Sequence, residues 1–128
     1  MPPDVLRRAA EIALADVTAP SGEPGTLSYE HLGDGQWLVH VCFRGAMTGC
    51  QVDATQDWAD LVAALADLSS EALIDELWEA HPRCPLHEHP LLPIAVGGAA
   101  VWECPAGEWS APIGSLATGG GPRDAPYA

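Results

Sequence analysis

Residues 36–44 read QWLVHVCFR, and their period decides the class of fold. Trp37, Val39, Val41 and Phe43 fall on one side of an extended chain, and Leu38, His40, Cys42 and Arg44 on the other. Successive side chains of a strand point to opposite faces, so this pattern is a strand with one buried side. GDG before it and GAMTG after it are turn signals, which predicts three antiparallel strands near 27–32, 36–44 and 49–53.

Outward from this small sheet the period becomes helical. Residues 4–17 bring Val5, Ala9, Ile12, Ala13 and Val17 round at helical spacing, with Asp4 placed to cap the first amides, and the helix ends before Pro20. APSGEPG follows as a turn-rich connector. Beyond the sheet, TQDWADLVAALADLSSEALIDELWEAHP holds one apolar stripe of Trp58, Leu61, Val62 and Leu65 and a second of Leu73, Leu77 and Trp78. Ser69 or Ser70 restarts the helix and Pro82 stops it, which predicts two covering helices whose stripes are core. Asp57 and Asp60 suit the dipole of the first turn.

LLPIAV and AAVWEC flank Gly97-Gly98 and predict a tight hairpin, to which WSAPIGSL adds a short strand. No internal repeat is visible. The expectation is α+β: a single domain over 1–116 with an N-terminal helix, a small antiparallel sheet, two covering helices and a C-terminal zinc-ribbon-like hairpin in 81–116. Residues 117–128, ATGGGPRDAPYA, read as a disordered tail.

The 128 residues suffice to bury about two thirds of the unfolded chain's surface, so size alone demands neither disulfide nor metal. Net charge is −13 at pH 7, with no lysine and arginines only at 7, 8, 44, 83 and 123. A phosphate backbone needs a local basic footprint, so DNA and RNA are excluded as partners and a basic protein surface is not. No apolar run approaches the ~20 residues that span a bilayer, and the first residues lack a signal-like hydrophobic segment, which points to the cytoplasm. Four cysteines in such a compartment are expected to be reduced or metal-bound.

HPRCPLHEHP, residues 81–90, concentrates a cysteine and three of the five histidines. Cys84, His87 and His89 share one loop, and the hairpin returns Cys104 toward it. Zinc takes tetrahedral sulfur and imidazole ligands, and Cys-Pro-x-His turns sharply enough to present two of them. A usual second knuckle would put Cys or His where Gly107 stands, so the fourth ligand is His89 or, from the other side, His81. If neither reaches, three ligands and a water leave the open coordination of catalytic zinc, with Glu88 or His89 as proton shuttle. The alternative is a loop with exposed histidines and two buried reduced cysteines. Changing Gly107 is expected to leave stability almost untouched.

CPLHEHPL followed by AVWECP and IGSL resembles the C-terminal part of small uncharacterised actinobacterial proteins with Cys-Pro-x-His-x-His-Pro and Trp-x-Cys-Pro elements, and a degenerate zinc ribbon. It covers roughly residues 81–116, about a quarter of the chain, and implies a metal site without an activity.

Elsewhere, a four-residue loop would set Phe43 opposite Cys50 and Cys42 opposite Gln51, with the thiols on opposite faces and no disulfide. His40 and Cys42, two apart on one strand, are weak as a nucleophile pair, and His31 reads as a surface or satisfied core histidine. There is no GxSxG, no HExxH and no Gly-rich loop ending in Lys-Ser/Thr. The expected function is that of a small acidic cytoplasmic protein with structural Zn2+ held by Cys84, His87, His89 and Cys104, acting on a protein partner. The other readings are a zinc enzyme and an acidic inhibitor or immunity-type protein.

Overall fold

In the computed structural model, which describes residues 2–17, 25–43, 45–77, 82–86 and 89–116, the element order is α1 (Asp4–Ala15), β1 (Thr26–Gly33), β2 (Gln36–Phe43), β3 (Ala46–Asp53), α2 (Trp58–Leu77), β4 (Leu92–Val96), β5 (Ala99–Glu103) and β6 (Ser110–Pro112). The fold is α+β. Two antiparallel three-stranded sheets, ordered β1-β2-β3 and β4-β5-β6, both pack against α2, and α1 lies against the same helix. The tail 117–128, most of the APSGEPG connector and Trp78 lie outside the described residues. No helix among the described residues is long and apolar enough to cross a membrane.

Alternation in β2 follows the expected period, with Trp37, Val39, Val41 and Phe43 buried and their neighbours half-buried. The hairpin to β3 differs from expectation. Phe43 pairs with Ala46 and Cys42 with Met47, so GAMTG contributes mostly strand rather than turn. Gly49 is needed for close approach: a Cβ there would stand 2.5 Å from the His40 ring, which covers the backbone in the place of a side chain. In this register Cys50 pairs with Val39 on the buried face and Cys42 lies on the other, so the two thiols are separated as expected but through different partners.

α2 runs unbroken through Ser69 and Ser70, which corrects the expectation of two helices. Both serines are buried, and the Ser69 hydroxyl donates to the Leu65 carbonyl one turn back at 2.9 Å. A hydroxyl satisfied in this way leaves the helix intact instead of capping a new one. Leu61, Val62, Leu65, Ala66, Leu68 and Ala72 are buried around a wide arc, as a helix serving two sheets requires. Trp58 is not core: it is 41% exposed at the start of α2.

On α1 the buried stripe is Leu6, Ala9, Ala10, Ala13 and, just past the helix, Val17, whereas Val5 is exposed. The helix is thus rotated from the expected face, with Leu6 and Ala10 in the core and Ile12 only partly buried against it. Asp4 does not cap. It is the first helical residue and accepts a hydrogen bond from the Arg7 guanidinium at 2.8 Å.

Asp16 fastens the N-terminal helix to the C-terminal sheet. Its Oδ2 accepts from the indole N–H of fully buried Trp102 at 2.8 Å and from the Gly114 amide at 2.5 Å. Desolvating a carboxylate costs several kcal/mol, so the site is stable only with donors of this kind in place. Asp16→Ala should therefore lower stability in urea unfolding by about 2–4 kcal/mol, since a buried indole and a part-buried amide lose their acceptor. Ser70→Pro should cost about 3 kcal/mol, the penalty of a helix interior; a cost near zero would show that a helix starts there.

Candidate metal centre

Cys84 and Cys104 stand at the head of two loops built alike. In the first, the Cys84 N–H donates to the His89 carbonyl at 3.1 Å and Arg83 bridges to Pro90. In the second, the Cys104 N–H donates to the Trp109 carbonyl at 2.8 Å and Glu103 pairs with Ser110. One step further out, the Leu91 N–H donates to the Pro82 carbonyl at 2.9 Å, and Ala111 pairs with Trp102. The two loops thus correspond at both ends, and CPLHEH and CPAGEW share Cys, Pro and Glu in sequence. This is an internal repeat that the sequence alone does not make visible. It sets His89 against Trp109.

The correspondence also explains Gly107. Its N–H donates to the Cys104 carbonyl at 2.7 Å, closing a turn, and its own φ is +77°. A side chain there meets no neighbour within 4 Å but strains the backbone. The expectation that Gly107 is freely replaceable is therefore corrected.

Both cysteines are sealed from solvent, at 1% and 0% exposure. The Ala106 N–H lies 3.4 Å from Cys104 Sγ, and His89 Nε2 lies 3.9 Å from it. Burial pushes the Cys104 thiol up, but the amides of Glu108 and Ala106 and the Cys84 thiol outweigh it and hold the group below its ordinary value. Amide donors aimed at sulfur favour the thiolate, the form that binds metal. Bond lengths to zinc near 2.3 Å for sulfur and 2.05 Å for imidazole nitrogen put tetrahedral neighbours about 3.6 Å apart, close to the sulfur–imidazole separation found here.

Of the four expected ligands, His89 and Cys104 approach one another through their side chains, and Cys84 meets His89 through the backbone. His87, with Glu88 and the alternative ligand His81, lies outside the described residues. Among the described residues no group of three or more His, Cys, Asp and Glu side chains is arranged to hold a metal ion.

The other candidates are dispersed. His31 stacks on Trp37 with ring centroids 4.6 Å apart, and His40 covers Gly49. Cys50, half-buried, is pushed up by burial and by the charges of Asp67 and Glu71, which suppresses its thiolate. A groove of about 390 Å³ between the start of α2 and the β4–β5 turn is lined by Asp57, Trp58, Asp60, Ala95 and Gly98 among others. Sequence reasoning missed it, because the two aspartates had a sufficient explanation in the helix dipole. A smaller groove of about 190 Å³ runs between Asp67, Glu71 and Ile74 of α2 and residues 90–93.

No family model, curated protein or solved structure matches the chain. Gly107→Ala should cost about 1 kcal/mol in denaturant unfolding through backbone strain alone, with the metal content of the purified protein unchanged.

Proposed function

We propose that this chain is a small acidic cytoplasmic zinc-binding protein that acts on a protein partner, with a structural metal held by Cys84, His87, His89 and Cys104 in a zinc-ribbon-like C-terminal segment. The observation that carries the reading is that two buried cysteines head loops closed by the same backbone hydrogen bond, with the His89 imidazole nitrogen 3.9 Å from the Cys104 sulfur. Burial favours a structural role over a catalytic one, since a hydrolytic zinc keeps a coordination position open to water and substrate. The metal would supply charge neutralisation and a cross-link, tying the loop 84–89 to the end of β5. Structural zinc of this kind contributes on the order of 10 kcal/mol to folding. The partner that fits a net charge of −13 is a basic protein surface, with association weakening as salt rises.

Native mass spectrometry should find one zinc per chain, and chelation should lower the melting temperature. Cys84→Ser should lower stability by several kcal/mol on the scale of structural sites. Zinc-free protein of unchanged melting temperature, with Cys84 and Cys104 readily alkylated in the folded state, would remove the reading.

A further inference from the structure

We propose that His40, Cys42 and Met47, three side chains on the outward face of the first sheet, form a binding site for a soft monovalent metal ion, Cu(I). The site shares no residue with the C-terminal cysteines and does not rest on the zinc reading above.

Strand register brings the three together. Cys42 on β2 stands directly opposite Met47 on β3, and His40 stands opposite Gly49. All lie on the face turned away from buried Val39, Val41 and Phe43; His40 and Cys42 are half-buried there and Met47 is 61% exposed. Directly opposed side chains of an antiparallel pair have Cβ atoms about 4.5–5.5 Å apart, and a diagonal pair such as His40 and Met47 stays within reach of aromatic and long side chains. The His40 ring is turned toward β3, since its Cδ2 and Nε2 would lie 2.5 and 2.9 Å from a Cβ on Gly49. The missing side chain at 49 is what lets the imidazole lie over β3, two residues along from the Met47 thioether.

The donor set selects the ion. Thiolate and thioether are soft ligands that favour Cu(I), and imidazole also suits copper. Zinc is held by thiolate, imidazole and carboxylate, so Met47 adds nothing for it. Charge points the same way: one thiolate neutralises a monovalent ion, whereas a divalent ion would keep a net positive charge at a half-buried site. Loading replaces the Cys42 S–H bond with a Cu–S bond and releases the proton to water, with no change of oxidation state. The exposure of Met47 gives the ion a path in.

The test titrates the purified full chain, isotopically labelled at the methionine methyl carbons, with Cu(I) supplied as its bicinchoninate complex under reducing, oxygen-free conditions. Met1 is the only other methionine, so the Met47 methyl resonance reports on this site alone. Saturation should shift the Met47 resonance and leave that of Met1 in place, and should protect Cys42 but not Cys50 from alkylation. Zn2+ should do neither. Met47→Leu, at an exposed position, should raise the copper concentration needed to protect Cys42 by about tenfold or more, with the melting temperature unchanged. His40→Phe, which keeps a ring over Gly49 without its nitrogens, should raise it likewise. Copper uptake with the Met47 methyl unmoved would place the ion at Cys84 and Cys104 and overturn the proposal, as would unchanged protection of Cys42 in Met47→Leu or no uptake from bicinchoninate.

Discussion

The Asp16 carboxylate is the constraint on which the two halves of this fold depend. Its partners are 86 and 98 residues away, an indole N–H at the centre of the second sheet and the amide of Gly114. Hydrophobic contact alone leaves the second sheet free to slide against α1 and α2, because burial is roughly proportional to area and carries little direction. A buried carboxylate with two directional donors removes that freedom: the geometry is right in one position and costly in every other. Trp102, fully buried, belongs to the same core cluster as Cys104 two residues further on, so the carboxylate also restricts where that sulfur stands.

From that anchor the candidate site follows by short steps. Trp102 and Ala111 pair, Glu103 and Ser110 pair, and the loop between them presents the Cys104 sulfur to two amides. The ends of the first loop are joined in the same way outside either sheet, by the Arg83–Pro90 bridge and the hydrogen bonds of Cys84 and Leu91 that flank it. Both cysteines are thus placed at the head of loops closed by backbone hydrogen bonds. Such pre-organisation reduces the ordering that a bound metal must impose.

Much of this was legible in the sequence, for identifiable reasons. β2 was legible because one of its faces is buried along its whole length, and the Gly97-Gly98 turn because both residues take positive φ, at 59° and 82°. The α2 break was misread because serine at a boundary and serine bonded back to a carbonyl are the same letters; only the Leu65 oxygen distinguishes them. The β2–β3 register was misread because Gly49 serves close approach to His40 rather than a turn. Cys84 and Cys104 were legible as a pair through Cys-Pro, but the equivalence of their loops lies in hydrogen bonds, with only three shared residues in six. Asp16 was invisible as an anchor because nothing local marks a carboxylate whose donors arrive from the far end of the chain.

That distance bears on how the protein is made. At about 5–20 residues per second, Asp16 leaves the ribosome on the order of 4–17 s before Trp102 does, and must wait hydrated while α1 and the first sheet are already available to collapse. α2 likewise offers a second apolar side with no sheet to cover it until β4 and β5 emerge. The nascent chain therefore passes through a half-clothed stage in which its own acidity, rather than its core, keeps neighbouring chains apart.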